Sequence, residues 1–173
     1  MSWQIDPAHS LVQFSARHMM ISTVRGRFDK FSGTIDFDEN DPTTATIDVA
    51  VDIASVNTRD QQRDDHLRSP DFFDAENYPT VTFKSTRVEK VDDSHGRIFG
   101  DLTIKDIIKE VVLDAEFAGV AKSPWGMTVA GASATTKLNR EDWGLTWNQA
   151  LETGGVLVGK EIKLNIEVEL IKQ

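Results

Sequence analysis

The sequence predicts an all-β fold: an eight-stranded antiparallel barrel with a short helix between strands three and four and a small helical turn before the last strand. Three observations carry that expectation. Apolar residues recur with period two through almost the whole chain, and the alternating runs are separated by short turns rich in Asp, Asn, Gly and Pro. One long stretch, residues 59–73, departs from the alternation: Arg59, Arg63, Asp64, His66, Leu67 and Arg68 fall at helical spacings with no β-branched residue among them.

Strand one is Leu11 to His18, with Val12, Phe14, Ala16 and His18 on one face. Strand two, Val24 to Phe37, carries Val24, Gly26 and Phe28 and then Phe31, Gly33, Ile35 and Phe37. Its phase slips at Asp29-Lys30, where a bulge keeps both halves facing inward. After the turn 38–42, strand three runs from Ala45 to Ile53 with Ile47, Val49, Val51 and Ile53 on one side. The helix is expected to start from Asn57 or Thr58 as N-cap and to run into Pro70, Phe72 and Phe73. Val81 to Val91 and Arg97 to Lys105 follow, then a tight turn at Asp106–Lys109, then Glu110 to Ala118 and Met127 to Leu138. Asn139 to Gly144 reads as one capped helical turn ending at a glycine, and 145–159 as a connection containing Trp147. The last strand, Glu161 to Ile171, alternates most cleanly, with Ile162, Leu164, Ile166, Val168 and Leu170 on its inner face. Pairing the first strand with the last closes the sheet and removes its exposed edges, whereas a two-sheet sandwich of the same strands is the alternative.

At 173 residues, without repeats or linkers, the chain is expected to form one domain with a substantial core. Lys plus Arg number 19 against 28 Asp plus Glu, a formal charge of -9, which argues against nucleic acid or an anionic membrane surface as a general partner. Without cysteine there are no disulfides and no thiolate metal sites. Residues 2–7 show neither the basic start nor the apolar run of a secretory leader, so a cytoplasmic location is expected; no window reaches the ~20 apolar residues of a membrane span.

An eight-stranded barrel either fills its interior with side chains or encloses a ligand. Small residues at inward positions (Ala16, Gly26, Gly33, Gly100 and Ala115, plus the run Ala130 to Ala134) favour a cavity, while the glycines alone are equally explained by strand bending and barrel corners. A cavity walled by Val, Ile, Leu and Phe suits a long apolar guest. The four histidines show no His-x-His or His-x-x-x-His spacing, no nucleophile elbow frames any serine, and neither a metal nor another cofactor is expected. Arg25, Arg27, Arg59, Arg63 and Arg68 fit an anionic head group, or else salt bridges with Asp60, Asp64, Asp65 and Asp71.

Several blocks resemble a known family in order and over essentially the whole chain. They are Trp3-Gln4-Ile5-Asp6-Pro7-Ala8-His9-Ser10, Phe14 to Met19, Val24 to Phe28, Arg63 to Asp74, Tyr78 to Phe83, Gly100 to Ile104 and Asn139 to Leu145. On these blocks the chain is similar to the YceI-like family of polyisoprenoid-binding proteins. The resemblance implies a lipocalin-like barrel with a helix laid against it, enclosing an apolar pore for an isoprenoid or other long-chain amphiphile. Lining candidates are then Val12, Phe14, Phe28, Phe31, Val49 and Val51 in the first three strands, and Leu67, Phe72 and Phe73 in the helical segment. Phe83, Leu102, Leu113, Trp143, Leu164 and Ile166 complete the set. Head-group candidates are His18, Arg25, Arg59, Arg63 and His66. Asp106-Ile107-Ile108-Lys109 departs from the Gly-x-Thr turn often found there in the family, and the two isoleucines at a hairpin tip are expected to pack on a second subunit of a homodimer. The rival readings are a hydrolase or isomerase using His18 or His66 as base with Asp64 orienting it, and a solid barrel acting as a structural or stress-related module.

Overall fold

The computed structural model describes residues 2–152 and 155–173, so two residues of the 145–159 connection, Thr153 and Gly154, lie outside the described residues. The strands are β1 (Ser2–Ile5), β2 (Leu11–His18), β3 (Ser22–Phe28), β4 (Phe31–Asp38), β5 (Asp41–Asp52) and β6 (Val56–Asn57), followed by helix α1 (Gln61–Arg68). Then come β7 (Thr80–Lys90), β8 (His95–Ile104), β9 (Ile107–Lys122), β10 (Thr128–Asn139) and β11 (Val158–Lys172). All pairings are antiparallel.

The sheet closes because β11 takes two partners on one edge. Its first part pairs with β2, from Val158 opposite His18 to Glu167 opposite Leu11, and its end pairs with β1, Trp3 opposite Lys172. In turn β2 pairs with β3 and β1 with β4. Thus β1 and β2 act as one stave broken at 6–10, and β3 and β4 as one stave broken at 29–30, giving the closed eight-strand barrel expected from the period-two pattern. The first break is held by Asp6, whose carboxylate accepts from the Ala8 N–H (3.0 Å), and by Ser10, whose hydroxyl accepts from the Glu169 N–H (3.1 Å). The second break lies where the phase slip was read. There Asp29 accepts from Arg27 Nε (2.8 Å) and Asn57 Nδ2 (3.1 Å), while the short β6 pairs alongside Arg27 and Phe28.

Strand β1 was absent from the sequence reading, yet Trp3 is completely buried. Its ring stacks on Phe37 at 5.1 Å, and the Lys172 ammonium sits 5.8 Å from the indole and 2.7 Å from Glu39 Oε1. Four residues are too few for an alternation to declare itself before Pro7.

The helix is shorter than expected. Thr58 is not its cap: its N–H and hydroxyl both donate to Asp64 Oδ1 (2.8 and 2.6 Å), Arg59 takes a left-handed φ of 64°, and Asp60 caps the helix by accepting from Arg63 N–H. Helical structure ends at Arg68, and the chain from Ser69 to Pro79 proceeds through turns. The β8–β9 hairpin also differs. Lys105 and Asp106, both left-handed at φ 52° and 61°, form the two-residue turn, so Ile107 and Ile108 are strand residues opposite Ile104 and Thr103 rather than a tip.

The inward glycines do not open the interior. A Cβ on Gly100 would stand 2.4 Å from the Phe83 ring and one on Gly26 2.4 Å from the Phe14 ring, so each phenyl lies flat over bare backbone. Gly100→Val is therefore expected to cost about 1–3 kcal/mol in urea unfolding. Gly131→Ala, which meets only the Ala118 methyl at 3.5 Å, is expected to stay within about 0.5 kcal/mol of the parent.

Candidate functional site

Side chains on the inner face leave a cavity of about 1090 Å³ running from the helix end of the barrel to the opposite hairpins. That is at the top of the ~300–1,000 Å³ range of small-molecule pockets. Its room comes from alanines, Ala16, Ala45, Ala115, Ala132 and Ala134, set among larger aliphatic and phenyl groups. Phe14 and Phe28 lie 5.4 Å apart between ring centroids, and Phe28 meets Phe73 edge-on at 6.1 Å, which joins the barrel wall to the segment after the helix.

Of the lining candidates, Val12, Phe14, Phe28, Val49, Val51, Leu67, Phe72 and Phe73 stand on the cavity wall, as do Phe83, Leu102, Leu113, Trp143, Leu164 and Ile166. Phe31 does not; it is half-buried opposite Val51 just past the break between β3 and β4. Among head-group candidates, His18, Arg63 and His66 reach the wall. Arg25 does not, because its neighbours Val24 and Gly26 take the inward positions and leave it exposed on the outer face of β3. Arg59 is likewise exposed, turned away at the left-handed residue before the helix.

The helix end is a polar mouth over an apolar shaft. Arg63 donates to the Thr58 hydroxyl (2.8 Å) and carbonyl (2.7 Å), which ties it to the Thr58–Asp64 pair. His66 Nε2 lies 3.0 Å from Asp71 Oδ2, with its ring edge-on to Phe72 (5.0 Å) and Trp147 (4.6 Å). Asp64 thus bonds Thr58 and not a histidine, so the dyad required by the hydrolase alternative, Asp64 orienting His66, is not assembled. Arg17 and Arg140 also reach the wall, and the sequence reading did not select either.

Arg140 is 4% exposed. Its guanidinium donates to three carbonyls, those of Gly159 (2.9 Å), Leu145 (2.5 Å) and Val158 (3.3 Å), and lies 6.0 Å from the centre of the Phe72 ring. Burial pushes its pKa down, with nearby Glu141 opposing the shift. Asn139 caps the turn that presents it, Gly144 ends that turn in left-handed conformation at φ 75°, and Trp143 fixes the turn to β8 through a 2.9 Å bond to the Leu102 carbonyl. The capped-turn pattern pointed to this local structure, but nothing in it distinguishes a buried arginine from an exposed one.

The opposite end of the shaft is acidic: Glu39, Glu89, Asp92, Asp93 and Glu116 reach the wall there, with Lys90 and His95. Asp92 is held down to about 2, first by the Ser94 N–H and then by the His95 ring, and His95 is raised above 6.5 chiefly by its bond to Asp92. Far from the cavity mouth, Asp6, His9 and Glu169 bring potential metal-ligand atoms within 4.8 Å of one another; Asp6 raises the His9 pKa through a 2.7 Å contact. Among the described residues no helix is long and apolar enough to cross a membrane.

The comparisons agree with this architecture. Residues 3–170 match the YceI-like domain, and the chain belongs to that family. It is 40% identical over 169 residues to the UPF0312 protein SAS2572 of Staphylococcus aureus strain MSSA476, covering 97% of this chain and 96% of that one. Among solved structures it is similar to the YCEI protein of Campylobacter jejuni, with 40% identity, a TM-score of 0.77 and coverage of 91% of this chain and 90% of that one. BcnA of Burkholderia cenocepacia, at 23% identity and TM-score 0.81, shares the fold over 95% of this chain and 98% of its own. So does a polyisoprenoid binding domain from Saccharophagus degradans, at 12% identity and TM-score 0.74, over 99% of this chain and 98% of its own.

Two outcomes are expected from the polar groups. Asp64→Ala leaves the buried Thr58 N–H and hydroxyl without their acceptor and should lower stability by about 2–4 kcal/mol in denaturant titration. In Asp92→Asn, the His95 titration followed by NMR should fall back toward 6.5. The Asp92–His95 pair stabilises the folded chain fully between the unfolded values of 3.8 and 6.5. That contribution fades as pH rises through the raised His95 value and as it falls through about 2.

Proposed function

We propose that the protein binds a long-chain apolar ligand inside the barrel, a polyisoprenoid, a quinone or a fatty-acid-like amphiphile, and carries or sequesters it. The observation that carries this reading is the continuous apolar shaft of about 1090 Å³, whose large side chains leave its centre open. Burying a methylene is worth ~0.8 kcal/mol, so ten contribute about 8 kcal/mol, the equivalent of micromolar affinity before ordering costs. The tail lies in the shaft and the head near His18, Arg63 and His66, whose polar atoms orient the ligand more than they hold it. At the level of fold, the likeness to a domain described as polyisoprenoid binding supports the same class of guest.

Native mass spectrometry of freshly purified protein, followed by organic extraction, should reveal a co-purifying lipid, and a fluorescent prenyl or acyl probe should enter the emptied barrel. Ala115→Trp, which projects an indole from the wall into the shaft, should weaken probe uptake by about tenfold or more while the far-UV spectrum stays unchanged. Absence of both lipid and probe uptake in the parent protein would sink the proposal.

A further inference from the structure

We propose that the tip of the β2–β3 hairpin, Met19, Met20 and Ile21, inserts into a membrane surface and holds the barrel mouth against the lipid from which its guest is drawn. This rests on the apolar-ligand reading above and names the surface that supplies the guest. The tip stands at the lip of the cavity: the Met19 N–H donates to the Leu157 carbonyl (2.8 Å), and His18 and Leu157 both line the wall. Its apolar side chains nevertheless face water, with Met19, Met20 and Ile21 exposed by 43%, 57% and 79%.

The backbone works against this choice of residues. Met19 and Met20 are both left-handed, at φ 53° and 63°, in a turn closed by the Ile21 N–H on the His18 carbonyl (3.2 Å). Such a turn favours Asn and Gly, so two long thioether side chains there oppose the local preference while remaining outside the core. Backbone strain of this kind, kept beside a site, points to a functional element. The tip is also prepared to leave water. The N–H groups of Met19 and Ile21 are bonded, and the Met20 carbonyl accepts from a terminal nitrogen of Arg17 (3.2 Å), so insertion leaves none of these three groups unpaired.

Charge favours a lipid surface as the occupant. From Leu11 to Phe28 the hairpin has no Asp or Glu, and it exposes Arg17, Arg25 and Arg27 in a chain whose formal charge is -9. Arginines set behind an apolar tip reach lipid phosphates once the tip is seated among the acyl chains. A stable protein–protein interface engages about 20–30 residues a side, whereas this tip is a narrow plug. Trp125, the other strongly exposed aromatic tip, stands at the acidic end of the barrel and serves as the control.

Because the chain has no cysteine, Ile21→Cys accepts a single nitrobenzoxadiazole label. Phosphatidylcholine vesicles should shift its emission to the blue, and the same label on Trp125→Cys should not respond. A fluorescent prenyl probe preloaded in those vesicles should pass to Met20→Gln/Ile21→Gln about tenfold more slowly than to the parent, with affinity for probe added from solution unchanged. Met19→Asn/Met20→Gly, which gives the turn its preferred residues, should be at least as stable in urea and equally slow in transfer. An Ile21→Cys label indifferent to vesicles would overturn the proposal, as would a shift that grows with protein concentration without lipid and so reports a protein partner. A response confined to Trp125→Cys, or undiminished transfer to both folded variants, would also overturn it. A parent protein that takes no probe from solution would instead remove the apolar-ligand reading on which the proposal rests.

Discussion

One strand carries the closure of this barrel. Because β11 runs for 15 residues, it accepts β2 along its first part and β1 at its end, and the sheet returns on itself with no unpaired edge at that seam. The mouth depends on the same strand, since the carbonyls of Val158 and Gly159, at its start, accept the Arg140 guanidinium. Closure and the buried cation are therefore parts of one construction. The side chain that staples the turn 140–143 to the barrel is also the one that presents positive charge to the shaft.

The interior follows from how two kinds of small residue are used. Glycines at 26 and 100 lie beneath phenyl rings from the neighbouring strand, which brings Phe14 and Phe83 flat against the wall and thins it without emptying the centre. Alanines at 16, 115, 132 and 134 line the shaft with only a methyl group each. In the sequence both kinds fall at inward positions, where the alanines and glycines favour a cavity and the glycines are equally explained by strand bending. Period two assigns a residue to the inner face but carries no information about which neighbour covers it.

Much of the architecture was legible in residues alone. The clean alternation of Ile162, Leu164, Ile166, Val168 and Leu170, and the phase slip at Asp29-Lys30, correspond to the longest pairing seam and to the break between β3 and β4. What escaped was too short or too contextual to leave a periodic mark. Strand β1 is four residues long, β6 is two, and the helix cap moved to Asp60 because Asp64 captured both donors of Thr58 from a turn away. At the mouth, parity alone removes Arg25 from the cavity wall, an argument available from the sequence once Val24 and Gly26 are placed inward. Arg140 could not have been found that way, because its burial is set by carbonyls from 18 and 19 residues further along the chain.

The short β1 also has a mechanical meaning. Between the ends of β4 and β11 the stave it shares with β2 is completed by Ser2–Ile5 alone, paired on both edges and seated by an indole stacked on Phe37 near the Lys172 ammonium. Trp3 is thus the rivet of the vessel: it seats the start of the chain in the wall at the end of the barrel where β4 and β11 finish.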